Sequence, residues 1–120
     1  MAEIENKKTS RENALEIAKI LSDSKAENVA VLGVGALSSW TDFFIIATVT
    51  SSAQMQGLHR LIKEYVRENG MEIHVAHQKH DSGSDWNLID IGPVVVHLMS
   101  AQARDFYELE KLWHEGERIL

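Results

Sequence analysis

Apolar positions along the chain follow two rhythms, one helical and one of continuous short runs. Ala14, Ile17, Ala18 and Leu21 recur at helical spacing behind Thr9 and Glu12, a capping-box pair, and predict a helix over 10–23. Met55, Leu58, Ile62, Tyr65 and Val66 repeat that spacing behind the capping candidates Thr50, Ser51 and Ser52, with Gly70 suited to the position just past the helix end. Two runs, VAVLGV at 29–34 and FFIIATV at 43–49, have strand length and β-branched or aromatic content, which predicts buried central strands. The GALSSWTD stretch between them reads as a loop. MEIHVA at 71–76 is a third, less apolar strand suited to a sheet edge. Trp86–Ile91 and Val94–Met99 are two more strands, and Ser100 caps a last helix whose buried stripe is Phe106, Leu109 and Trp113.

The predicted order α, β, β, α, β, β, β, α implies an α/β fold: a single layered domain in which helices cover a mixed five-stranded sheet. The domain is expected over 10–114, with a flexible segment at 1–9 and a tail at 115–120 that extends the last helix irregularly. Gly92 and Pro93 suit a two-residue hairpin turn, because Gly accepts a positive φ and Pro the next position. That turn pairs Ile91 with Val94, Asp90 with Val95, Ile89 with Val96 and Leu88 with His97. One hairpin face then carries Ile89, Ile91, Val94, Val96 and Leu98, interrupted only by Asn87, and should meet the helices. The other carries Trp86, Leu88, Asp90, Val95, His97 and Met99. A large aromatic beside a carboxylate and an imidazole is the composition of an interface anchor. In the structural alternative, Trp86 caps the core edge and Asp90 with His97 forms a hydrogen-bonded pair.

Composition narrows the choice. Apolar residues make up 44% and charged residues 25% of 120 residues, ordinary values for one globular domain. No window reaches the ~20 apolar residues of a membrane span, and MAEIENKKTS has no signal-peptide core, so a cytoplasmic protein without membrane contact is expected. The absence of cysteine excludes disulfides, thiolate metal sites and a cysteine nucleophile. A net charge of −6 with scattered cations argues against direct DNA or RNA binding and favours a basic protein partner.

Three stretches resemble one family. Residues 38–48, SSWTDFFIIAT, followed by Thr50-Ser51-Ser52, are similar to the ribosomal silencing factor family, also called the Iojap family. Asp85-Trp86, Asp90-Ile91-Gly92 and Val94-Val95-Val96-His97 match its second signature, and Tyr107 to Trp113, YELEKLW, its third. The likeness runs from about residue 11 to 113. Gly33 stands where the family usually has Asp, Val49 where it has Gly, and Pro93 where it has an acidic residue. Pro93 offers neither a charge nor an N–H, so a contact made through that carboxylate is absent here. The resemblance implies a nucleotidyltransferase-like fold without catalysis, metal or cofactor. It implies binding to the large ribosomal subunit through ribosomal protein number fourteen, which blocks joining of the small subunit and represses translation. Trp86 and Tyr107 are the expected docking anchors, with Asp90, His97 and Glu110 as polar neighbours. Tyr107 has a rival role in packing beside Phe106 and Trp113. The family is associated with homodimers, and the same face would serve a twofold contact.

Other chemistry in the chain is weaker. His74, His77 and His80 recur every third residue, but a three-residue step along a strand sends His74 and His77 to opposite faces, so both cannot face one metal. A nucleotidyltransferase-like enzyme or nucleotide binder is the alternative class, yet Asp42, Asp85 and Asp90 are dispersed instead of clustered around a divalent ion. GVGAL at 33–37 lacks the third glycine and the helix of a dinucleotide fingerprint, and no G-x-S-x-G elbow supports a serine nucleophile. Asp42 and the hydroxyls from Thr48 to Ser52 read as turn and capping groups.

Overall fold

The computed structural model describes residues 8–39, 41–78 and 86–120. The elements in order are α1 (Ser10–Asp23), β1 (Glu27–Gly33), β2 (Phe43–Val49), α2 (Ser52–Glu68), β3 (Val75–Gln78), β4 (Trp86–Asp90), β5 (Val94–Ser100), α3 (Ala101–Tyr107), α4 (Leu109–Leu112) and β6 (Glu117–Arg118). Both long helices start where local chemistry directs. Thr9 Oγ1 accepts from Glu12 N at 3.1 Å while Glu12 Oε1 accepts from Thr9 N at 2.9 Å, closing the capping box. Ser51 Oγ accepts from Gln54 N at 3.0 Å at the start of α2, and Gly70 takes φ 69° beyond its end.

The sheet order is β3-β4-β5-β2-β1-β6, with β2 and β5 parallel and every other pair antiparallel. The five expected strands are all present, and β3 lies at an edge as its composition suggested. The hairpin register is the predicted one, Leu88 opposite His97 and Asp90 opposite Val95, and Gly92 takes φ 100° in the turn. Asp90 Oδ1 accepts from Gly92 N at 2.8 Å, and the Pro93 carbonyl accepts from Asp42 N and Phe43 N at 3.0 Å each. The turn is therefore tied both to its own strand and to the start of β2.

Four expectations need correction. The first strand spans Glu27–Gly33 instead of 29–34, because pairing reaches Glu27 opposite Thr48 across an irregularity at Asn28, where φ is 51°. The third strand begins at Val75 instead of Met71: Met71 N bonds Val66 O at the end of α2, and Met71 and Ile73 pack toward the core as connection. The last helix breaks at Glu108, whose left-handed φ of 49° separates α3 from α4. A single 3.6-residue stripe does not survive that break, so Phe106 is 76% exposed while Leu109 is buried. The tail is a sixth strand instead of a helical extension. Leu32 pairs with Arg118 and Gly33 with Glu117, and Val31 exchanges backbone hydrogen bonds with Ile119 and Leu120.

Two cores result, one on each sheet face. Under α1 and α2 lie Ile17, Leu21, Ile45, Met55, Ile62, Ile89 and Leu98, all buried. The hairpin residues expected to face helices, Ile89, Ile91, Val94, Val96 and Leu98, all belong to this core. Asn87, the polar interruption, is fully buried and lies 3.0 Å from His59 Nδ1 of α2. On the opposite face Leu32, Val34, Phe44, Ile46, Val95 and Met99 are covered by Ala103 of α3 and Leu109 of α4, with Trp86, Leu88 and Trp113 packed at the margin.

Candidate partner-docking surface

The second face is built as a chain of rings running outward from the core. The Trp113 ring meets Phe44 edge-on at 5.1 Å between centroids, and Phe44 meets His97 edge-on at 5.0 Å. The Trp86 indole lies 5.8 Å from His97 and 4.6 Å from Tyr107, and Phe106 stands edge-on to Tyr107 at 4.9 Å. Edge-to-face pairs of this kind each contribute roughly 0.5–1.5 kcal/mol beyond area burial and fix relative orientation. The outer end of the chain is exposed. Tyr107 and Phe106 reach solvent, and Leu112 of α4, 70% exposed, stands on the same corner element.

His97, expected as a polar neighbour of the anchors, is only 4% exposed and lies beneath Trp86. The α3–α4 segment and Trp113 cover this face, and no strand-level pattern announces what will land on it. Trp86 Nε1 donates to His97 Nδ1 at 3.1 Å, so His97 holds the indole from below. An accepting Nδ1 assigns the ring proton to Nε2, a buried atom without a hydrogen-bond partner. Burial pushes the imidazole pKa down to about 4, so the ring is neutral near pH 7.

Asp90 does not pair with His97. Its carboxylate closes the Gly92 turn, about 13 Å along β4 from Trp86 at ~3.3 Å per residue. Glu110 sits behind the aromatic corner, 3.0 Å from Arg104 Nε and 3.6 Å from Arg118. The Arg104 hydrogen bond holds its carboxyl below the usual carboxylate range. Trp86, His97 and Tyr107 are thus brought together, while Asp90 and Glu110 flank them at opposite ends.

Arg104 is the residue that sequence reasoning missed. Its Nη1 donates to Asn28 O at 2.6 Å and to Thr48 Oγ1 at 2.9 Å, so one guanidinium ties α3 to β1, β2 and α4. That clasp braces the left-handed turn at Glu108, which points Phe106, Tyr107 and Leu112 outward. An Arg–Glu separation of six matches no helix-neighbour spacing, so no local signal reveals it.

The residues weighed for other chemistry are dispersed. Asp42 is exposed, Ser51 serves as a cap, and the 33–37 glycine segment turns into β2 without opening a helix. Among the described residues no three metal-capable side chains cluster. His74 is exposed beside Gly92, while Trp40, His80 and the 81–85 loop lie outside the described residues, as does the His77 side chain. No helix among the described residues is long and apolar enough to cross a membrane.

Residues 7–120 match the family described as "Ribosomal silencing factor during starvation". Over 100 residues the chain is 40% identical to a protein of Treponema pallidum named ribosomal silencing factor, covering 82% of this chain and 87% of that one. It is 31% identical over 98 residues, 81% of this chain and 43% of the other, to a mouse protein named "Mitochondrial assembly of ribosomal large subunit protein 1". A crystal structure of a Chromobacterium violaceum protein superimposes with a TM-score of 0.76 at 32% identity, covering 94% of this chain and 88% of that one. With the family match spanning residues 7–120 and a relative 40% identical over most of both chains, the chain belongs to the ribosomal silencing factor family.

Proposed function

We propose that the protein docks its α3–α4 corner on the large ribosomal subunit, through ribosomal protein number fourteen, and blocks joining of the small subunit by occupying the surface between them. Its role is regulatory and non-catalytic, exercised in the cytoplasm. The observation that carries this reading is the continuous ring stack ending in exposed Phe106 and Tyr107 beside half-buried Trp86. Rigid aromatic anchors held by their own packing lose little entropy on binding, and such anchors carry most of an interface's energy. A net charge of −6 suits approach to a basic ribosomal protein. The mouse relative's name refers to the same subunit.

In this proposal Trp86 and Tyr107 are anchors, Asp90 and Glu110 are polar neighbours at the rim, and His97 acts through the indole it orients. Self-association through the same corner competes with docking, and sedimentation equilibrium measures it. Sucrose-gradient sedimentation with purified subunits tests the main claim. The protein is expected to travel with large subunits and lower the yield of intact ribosomes without nucleotide. Trp86→Ala and Tyr107→Ala are each expected to weaken that binding by more than about tenfold with an unchanged circular dichroism spectrum. Nucleotide-dependent thermal stabilisation without co-sedimentation would point instead to a nucleotide binder.

A further inference from the structure

The described cations fall into two groups. Lys8, Arg11, Lys19, Arg104, Lys111 and Arg118 each have a carboxylate within 4.0 Å. Lys25, Arg60, Lys63 and Arg67 have none among the described residues, and the last three line a single cleft of about 590 Å³ along α2. They stand at i, i+3 and i+7, a row about 10 Å long on one exposed helix face. Among the described residues, three of the four cations without a carboxylate within 4.0 Å therefore share one cleft, a local concentration of positive charge on an acidic chain.

The cleft is not purely electrostatic. Val66, Met71 and Ile73 also line it, Val66 buried and the other two half-buried. Glu64 and Glu72 share the rim. A continuous polyanion such as an RNA backbone would bring phosphates against those two carboxylates and leave the apolar lining unused. Separate carboxylates alternating with an apolar side chain match both features. The cleft also belongs to the α1–α2 side of the sheet, across from the ring-lined corner, so both surfaces are open at once.

We propose that the α2 cleft docks an acidic protein segment: its carboxylates pair with Arg60, Lys63 and Arg67, and an apolar side chain enters between Val66, Met71 and Ile73. The proposal stands independently of ribosome docking. The probe is an acetylated ten-residue peptide alternating Asp and Glu with Leu, titrated into the full chain at low salt and followed by fluorescence anisotropy and amide NMR shifts. Saturable binding is expected, with shifts concentrated in residues 60–73. Arg60→Glu/Lys63→Glu/Arg67→Glu is expected to weaken it at least about tenfold, because three favourable charge contacts become repulsive. Lys25→Glu, outside the cleft, should change it less than about twofold, and replacing the peptide's Leu by Ser should cost about fivefold or more. Since a triple variant risks misfolding, the Leu-to-Ser peptide on the unaltered chain provides an independent readout. Absence of saturable binding, unchanged affinity in a folded triple variant, or indifference to the peptide's leucines would overturn the proposal. So would an oligouridylate that occupies the cleft more tightly than the peptide, or a concentration-dependent dimer seated there.

Discussion

The two faces of one sheet are packed by different means. Beneath α1 and α2 the side chains are aliphatic and fully enclosed, and polar groups are few: Asn87 beside His59, and the Tyr65 hydroxyl, which lies 2.7 Å from Glu16 and 2.9 Å from Asn13. Beneath α3 and α4 the aliphatic residues are joined by a stack of rings from Trp113 and Phe44 through His97 and Trp86 to Tyr107, one nitrogen of the buried His97 has no partner, and the stack runs out to solvent. Aliphatic packing is dense and non-directional, so it supplies stability. Ring stacks are directional, and a stack that leaves its last members exposed orients them for another surface. The same β5 strand serves both purposes, since alternate residues face opposite ways: Val94, Val96 and Leu98 one way, Val95, His97 and Met99 the other.

Truncation on the aliphatic side should give the largest loss. Leu98→Ala removes a fully buried side chain and is expected to cost about 2–5 kcal/mol in urea denaturation. Acid should distinguish the faces next. His97 stays neutral in the fold down to about pH 4, whereas the unfolded chain takes up a proton near pH 6.5. Its contribution is therefore present above pH 6.5 and is lost as pH falls from 6.5 to about 4, on the order of 3 kcal/mol. His97→Gln should flatten that segment of the stability profile, and an unchanged slope would assign the acid sensitivity elsewhere.

Arg104→Ala is a smaller perturbation aimed at the brace behind the exposed rings. Leaving Glu110, Thr48 Oγ1 and Asn28 O without their donor is expected to cost about 1–3 kcal/mol. It should also raise amide hydrogen exchange in α3–α4 more than in α1–α2. Thr9→Ala is the mildest test and belongs wholly to the aliphatic side. Loss of the capping box should cost about 1 kcal/mol and leave subunit binding unaltered.

Each legible feature rests on short-range chemistry. Helix starts at Ser10 and Ser52 follow from hydroxyls within reach of their own backbone. The β4–β5 register follows from a two-residue turn and the period of two, which leaves the pairing no freedom to slip. Trp86 and Tyr107 were recognisable from motif resemblance, and the structure sets their rings 4.6 Å apart. Burial of His97 was not legible, because it depends on where a later segment comes to rest.

Amino-acid order alone determined the two long helices and the five principal strands, which hairpin face is aliphatic, and that the chain carries a net negative charge without thiol chemistry. Only the tertiary structure decided that the helix after β5 breaks at Glu108, because the bonds of Arg104 reach residues up to 76 positions away. Tertiary contact likewise placed the tail on β1, where pairing uses backbone groups common to every sequence, and left Phe106 facing solvent instead of the core. Local propensity acts over a few residues, whereas the cover over a sheet face is chosen by whichever distant segment can pair its polar groups there.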